Sequence, residues 1–202
     1  MKKVELNKQK KKEALYNTAF SLFTTKGTSK TTISDIVEKA GVAKGTFYLY
    51  FKDKYDIHNK LVTHKTTEMF YRAHEALLET DLYSFEDEFF FMIDHILDEL
   101  EHNHPLLTFI SKNLSWGIFE GVCKKMPDEE YDFYQSYLEL LSKYDRHYTN
   151  PQLMLFSIVE LVGATCYSCI LYQRPASLAE YKPYLYRAIQ GILNEFSADT
   201  HE

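Results

Sequence analysis

Apolar residues along this chain recur at intervals of three and four, the spacing of one helix face, without the alternation that marks a strand. Leu15, Ala19, Leu22 and Phe23 form the stripe of a first helix over about 8–25, which Gly27 ends. Ile33, Ile36, Val37 and Ala40 fall at i, i+3, i+4 and i+7 and predict a short helix over 33–40. Thr32 can cap that helix, with Asp35 three residues on completing the reciprocal box. Gly41 supplies a sharp turn, and a second short helix follows over 44–50. Asp53 reads as the cap of a fourth helix, with Asp56 at its third position, running to about 78. A fifth helix is expected over about 85–102. Pro105 then stands as the first residue of a sixth, followed by a segment around 116–123. Pro127, Asp128 and Glu129 are expected to start a helix ending near His147, and Asn150 and Pro151 another ending before Pro175. Pro183 is placed at or near the start of the last, which runs to about 196. The pattern predicts an all-α chain of about nine helices. Residues 1–54 form a three-helix head and residues 55–202 a larger helical body. No internal repeat appears.

Residues 31–54, TTISDIVEKAGVAKGTFYLYFKDK, concentrate the chemistry. Val42 and Phe47 can pin the second short helix on the first, which leaves Lys44, Gly45, Thr46, Tyr48 and Tyr50 facing outward. A cation, a gap, a hydroxyl and two phenols are the groups that touch phosphates and base edges. Two short helices joined at a glycine with such a face make a helix-turn-helix. The expected contacts to double-stranded DNA are Thr31, Thr32, Lys44, Gly45, Thr46, Tyr48, Tyr50 and Lys54. Lys44 is the residue for reading a base, through guanine acceptors. Thr46 touches a base or a phosphate, and Gly45 leaves room for the backbone to approach. Thr31, Tyr48, Tyr50 and Lys54 grip phosphates, Lys54 from a helix N-terminus that already favours anions.

Charge is divided the same way. Residues 1–54 hold twelve lysines, no arginine and five acids, a net of +7, while the whole chain is −6. Residues 55–202 therefore carry −13. A basic head on an acidic body draws a polyanion to one end and repels it from the other. The lysine-rich run 8–12 is read first as a solvated helical turn, and otherwise as an arm reaching DNA.

The pattern D-I-x-x-x-A-G-V-x-K-G-T-x-Y-x-Y-F-x-x-K is carried by Asp35, Ile36, Ala40, Gly41, Val42, Lys44, Gly45, Thr46, Tyr48, Tyr50, Phe51 and Lys54. It resembles the signature of TetR-type (TetR/AcrR) transcriptional regulators over about residues 8–60. Val37 stands where that family usually has Ala, a change of packing between two helices. The resemblance implies a ligand-responsive regulator, above all a repressor that competes with RNA polymerase at a pseudo-palindromic operator and is released by a small molecule. It further implies a homodimer, in which the last two helices pair with their copies in a four-helix bundle, and an effector pocket among helices four to eight. Two other expectations remain beside it. One is a protein of this fold without a small-molecule effector, controlled by a protein partner and acting as an activator or nucleoid factor. The other is an enzyme or ligand carrier with a degenerate head.

The body offers residues for both implied surfaces. The helix over about 153–171 is apolar nearly all round, apart from a small or polar stripe of Ser157, Glu160, Ala164 and Ser168, with Gly163 beside it. Small residues let a second helix approach closely. The last helix carries Leu185, Ile189, Ile192, Leu193 and Phe196. The expected dimer contacts are Ser157, Ala164, Ser168, Leu185, Ile189, Ile192 and Phe196. Phe89, Phe90, Phe91, Trp116, Phe119, Tyr131, Tyr134, Tyr137 and Tyr167 each read singly as core, and together as an apolar pocket for an effector. The expected lining is Phe90, Trp116, Phe119, Tyr134, Tyr137, Glu160 and Tyr167, suited to an apolar or amphipathic ligand. Glu160 is an acid on an apolar helix, to be met by a cationic ligand or by a Lys or Arg across the dimer.

Other chemistry is thin. No apolar h-region follows the basic start, and the apolar stretch 153–171 is broken by Ser157, Glu160, Thr165 and Ser168, so neither a signal peptide nor a membrane span is expected. A cytoplasmic protein is the expectation. Cys123, Cys166 and Cys169 make no disulfide framework, and Cys166 and Cys169 lack a second pair for zinc. The eight histidines show no metalloprotease spacing, and no nucleophile elbow, phosphate loop or dinucleotide fingerprint occurs. No enzyme activity, cofactor or metal is expected.

Overall fold

The computed structural model describes residues 3–111 and 132–198, with side chains from residue 6 onward. Among these residues every regular element is a helix, apart from one isolated antiparallel bridge between Tyr148 and Ser197. The helices are α1 (Lys3–Thr25), α2 (Ile33–Ala40), α3 (Lys44–Tyr50), α4 (Lys54–Leu78), α5 (Phe85–His102), α6 (His104–Ile110), α7 (Phe133–Lys143), α8 (Pro151–Tyr172) and α9 (Leu178–Phe196). The chain forms two compact units, Met1–His64 and Lys65–Glu202, and the boundary between them falls inside α4. The segment expected around 116–123 lies outside the described residues.

In the first unit, α1 packs on α2 and α2 on α3. The core is Leu15, Ala19, Phe23, Ile36 and Ile57 around an aromatic cluster. The rings of Tyr16 and Phe47 lie 5.3 and 5.4 Å from that of Phe51, and His64 stacks on Tyr16 at 4.8 Å. Burial against Phe23 pushes the His58 imidazole below its ordinary pKa. α1 begins at Lys3 rather than near residue 8. Lysine is a good helix former, so the run 8–12 continues the helix, with Lys8, Lys10 and Lys11 exposed.

In the second unit, α8 is the central element, packed on α5 and most extensively on α9. Met154, Leu155, Ile158, Val159, Cys166, Cys169 and Ile170 of α8 are buried, against Leu178, Leu185, Ile189 and Leu193 of α9. By length and composition alone α8 is apolar enough to cross a membrane, contrary to the sequence reading, as a core helix of a folded domain also can be. Ion pairs clamp the layer edges: Arg72 to Glu99, Lys182 to Asp94, and Arg146 to Glu86. α7 begins at Phe133, capped by the Asp132 carboxylate accepting from the Gln135 N–H at 3.1 Å, and ends at Lys143 rather than near His147. Pro127, Asp128 and Glu129, where its start was expected, lie outside the described residues. One helix start differs from expectation. α9 begins at Leu178, where Ser177 and Glu180 form a capping box, so Pro183 lies inside the helix. A proline there leaves unmade only the bond that its own N–H would donate to Ala179.

Candidate nucleic-acid interface and effector cavity

The head is assembled by bonds at its turns. The Thr32 hydroxyl accepts from the Asp35 N–H at 3.1 Å, and the Asp35 carboxylate accepts from the Thr32 N–H at 2.8 Å. The Lys26 ammonium reaches the same carboxylate at 2.7 Å and, with the Thr32 donors, lowers its pKa to about 2. Gly41 takes the left-handed conformation at φ 66° and donates to Glu38 and Val37 carbonyls, which turns the chain sharply into α3. α3 is then fixed by Phe47, fully buried, and Phe51.

This packing presents one face of α3. Lys44 and Gly45 are exposed, Thr46 is half-buried, Tyr48 is 53% exposed and Leu49 is 79% exposed. A Cβ built on Gly45 meets nothing within 4 Å, and its backbone is helical, so nothing in the chain itself calls for glycine there. Leu49 was not among the expected contacts. It lies two positions from the buried Phe47, on the outward phase of α3, and that phase was the available signal. Other expected contacts are engaged inside the head. Thr31 is fully buried, its hydroxyl donating to the Gly27 carbonyl at 2.8 Å, which removes it from any surface. The Tyr50 hydroxyl donates to the Lys8 carbonyl at 3.1 Å, and Lys54 Nζ to the Ser29 carbonyl at 3.1 Å. An ammonium has three donors, so Lys54 keeps capacity for an outside partner. The Tyr55 and Asp56 N–H groups at the start of α4 are taken by the Asp53 carboxylate. Thr32 is exposed.

The body holds a cavity of about 500 Å³ among α4 to α8. Its wall is chiefly aliphatic, with Met69, Met92, Ile93, Ile96, Leu140, Ile158 and Val162, and with Phe70, Phe89 and Phe133 beside them. Tyr137 and Tyr167 line it as expected, and the Tyr137 hydroxyl donates to the Pro151 carbonyl at 3.1 Å. Phe90 and Tyr134 are not among the described lining residues: Phe90 packs on Tyr186 at 4.8 Å and Tyr134 on Tyr137 at 5.9 Å. Trp116 and Phe119 lie outside the described residues. Glu160 is exposed on α8 and does not line the cavity. The acid on the wall is Glu88, 5% exposed, whose Oε1 accepts from Lys143 Nζ at 2.5 Å and from the Tyr144 hydroxyl at 2.7 Å. That carboxylate holds the Lys143 ammonium charged to higher pH than usual. Sequence reasoning passed over Glu88 because Glu86, Asp87 and Glu88 together read as ordinary acids of a first helical turn. Its spacing from Phe85 and Met92 marks it as inward.

A profile of bacterial regulatory proteins, tetR family, matches residues 15–61. The HTH-type transcriptional regulator YvdT of Bacillus subtilis (strain 168), itself uncharacterised, is 31% identical over 138 residues, 66% of this chain and 64% of that relative. Residues 15–61 thus match the DNA-binding region of the tetR family. The match spans just under two thirds of that relative's length. Among solved structures, a chain named for the tetR family of transcription regulators from Shewanella sp. PV-4 superposes with a TM-score of 0.64 at 17% identity, covering 93% of this chain and 98% of that one. A TetR-family transcriptional regulator from Haemophilus influenzae Rd gives 0.56 at 19% identity, over 93% and 98%. Both establish likeness of fold.

The chain carries an exposed face on α8 and α9. On α8 it is Leu153, Phe156, Glu160 and Ala164, and on α9 Tyr184, Arg187, Ala188 and Gly191, all exposed. Of the residues expected at a dimer contact, Ala164 is exposed and Ser157, Ser168, Ile192 and Phe196 are half-buried. Leu185 and Ile189 are fully buried in the chain's own core, which takes them out of such a contact. Their apolar character serves the α8–α9 packing. Cys166 and Cys169 are free and buried, and burial pushes the Cys166 thiol up to about 11, so it stays a protonated, unreactive thiol at neutral pH.

Proposed function

We propose that this protein is a transcriptional regulator that binds operator DNA as a dimer and is released by a small molecule held in the body cavity. The observation that carries the reading is the α3 face, where Lys44, Thr46, Tyr48 and Leu49 stand outward around a glycine that the fold itself does not require. Lys44 is the candidate for a base edge, and Tyr48 and Thr46 for phosphates or base edges, with Leu49 offering apolar contact to a thymine methyl. Thr32, Tyr50 and Lys54 are the further candidates for phosphates. The net +7 of residues 1–54 supplies the non-specific attraction to the DNA backbone. A dimer on the open α8–α9 face gives the two-fold symmetry that a pseudo-palindromic site needs. The cavity's volume and mainly apolar wall suit a small-molecule site.

Gly45→Ala tests the reading directly. In a helix alanine is favoured over glycine by roughly 0.5–1 kcal/mol, so the variant should be at least as stable as the parent. It should nevertheless bind the DNA upstream of its own gene at least about tenfold more weakly, because the new methyl occupies the space of backbone approach. Lys44→Ala should cost roughly 1–3 kcal/mol on that site and relax preference at one base position per half-site. Fluorescence anisotropy with labelled duplex at fixed salt measures both. Unchanged affinity in the two variants would show that α3 does not read DNA.

A further inference from the structure

We propose, on the footing of that effector cavity, that its ligand is a monocation with an aliphatic body, whose ammonium replaces Lys143 on Glu88. Among the described residues the wall is mostly Leu, Ile, Val and Met rather than aromatic, which suits a flexible hydrocarbon chain better than a flat ring system. Among the described residues along it, the carboxylates, ammonium and imidazole are those of Glu88, Glu139, Lys143 and His74. Glu88 is the buried one of the two acids, and both of its bonds fall on Oε1. A carboxylate accepts on two oxygens, so Oε2 has capacity for a further donor.

The ion pair is lopsided, and that lopsidedness decides the sign of the ligand. The Lys143 side chain is 56% exposed and ends α7, whereas the Glu88 side chain is 6% exposed. A cationic head that displaces Lys143 sends a lysine that is already half in water fully into water, and Glu88 stays paired. Tyr144 need not move. An anionic head that captures Lys143 has the opposite effect: it strands a buried carboxylate and sits beside it. A neutral head leaves the pair as it is and gains only the apolar wall.

The test is equilibrium dialysis at pH 7 with three probes of one chain length: decylammonium, decanol and decanoate, each below micelle formation. Decylammonium should bind about tenfold or more tighter than decanol, since a charge-assisted hydrogen bond is added, and decanoate should bind most weakly. Glu88→Gln should abolish the preference for the amine while leaving decanol within about twofold. Lys143→Met removes the competitor, so it should tighten decylammonium alone. Decanoate binding as tightly as the amine, or a preference that survives Glu88→Gln, would overturn the ligand class and leave the cavity as an effector site. Binding of none of the three would overturn the cavity reading itself. Should Glu88→Gln fail to fold, Lys143→Met decides, and an unchanged or weaker amine affinity there is the contrary result.

Discussion

Asp35 closes the capping box of α2 and anchors Lys26, so its ionisation is part of the head's stability. Its folded pKa, about 2, lies below the ordinary 3.8. A carboxyl so depressed contributes stability that is present above 3.8 and is lost as pH falls toward 2. Asparagine at this position can still accept from a backbone N–H but cannot hold a charge. Asp35→Asn should therefore unfold at lower urea than the parent at pH 7, and the gap should close between pH 4 and pH 2. A gap independent of pH would mean that the Lys26 pairing contributes nothing. Glu160 and Glu88 make a contrasting pair at the same scale. Glu160 stands on an apolar helix and Glu88 in an acidic first turn, yet α8 turns the first to the surface and α5 turns the second inward. The inward carboxylate takes two donors.

At the scale of elements, local signals set most boundaries. α2, α3 and α5 have the expected limits, because a cap, a left-handed glycine or a clean apolar stripe marks each. Proline misled the reading of α9. Pro183 looks like a first residue, but the Ser177–Glu180 box starts the helix earlier and burial of Leu178 and Leu185 holds the first turns in place. Tertiary packing thus overrides a proline that forfeits one backbone bond and crowds the Ala179 carbonyl. Pro183→Ala should relieve that crowding and raise stability, by up to about 3 kcal/mol. Urea unfolding reads this. A destabilised variant would show that Pro183 is accommodated without strain and acts by stiffening the unfolded chain.

For the whole molecule, the open α8–α9 face is where a second copy is expected. Ala164 lies exposed on it, between Glu160 and the last turns of α8. Ala164→Arg should give a monomer by sedimentation while leaving far-UV circular dichroism unchanged, and operator affinity should fall because each head then binds one half-site alone. A variant that still sediments as a dimer would place the interface elsewhere. Leu155, Ile158 and Val162 of the same helix line the body cavity. The same α8 therefore faces the core, the cavity and the open surface, which explains why it is apolar almost all round.

Helix spacing, caps and the glycine turn are local properties, so the all-α class, the helix-turn-helix and its outward residues were legible in the chain alone. Lys44, Gly45 and Tyr48 stand where the phase of α3 puts them. What lay beyond the sequence depended on which of several apolar faces meets which partner. Thr31 reads as a surface hydroxyl until the α1–α2 loop folds it onto Gly27. Leu185 and Ile189 read as an interface until α8 covers them. Glu88 reads as a capping acid until residues 143 and 144 arrive from more than fifty positions away. Periodicity says that a face is buried. It carries no information on what buries it, and only the packed chain decides that.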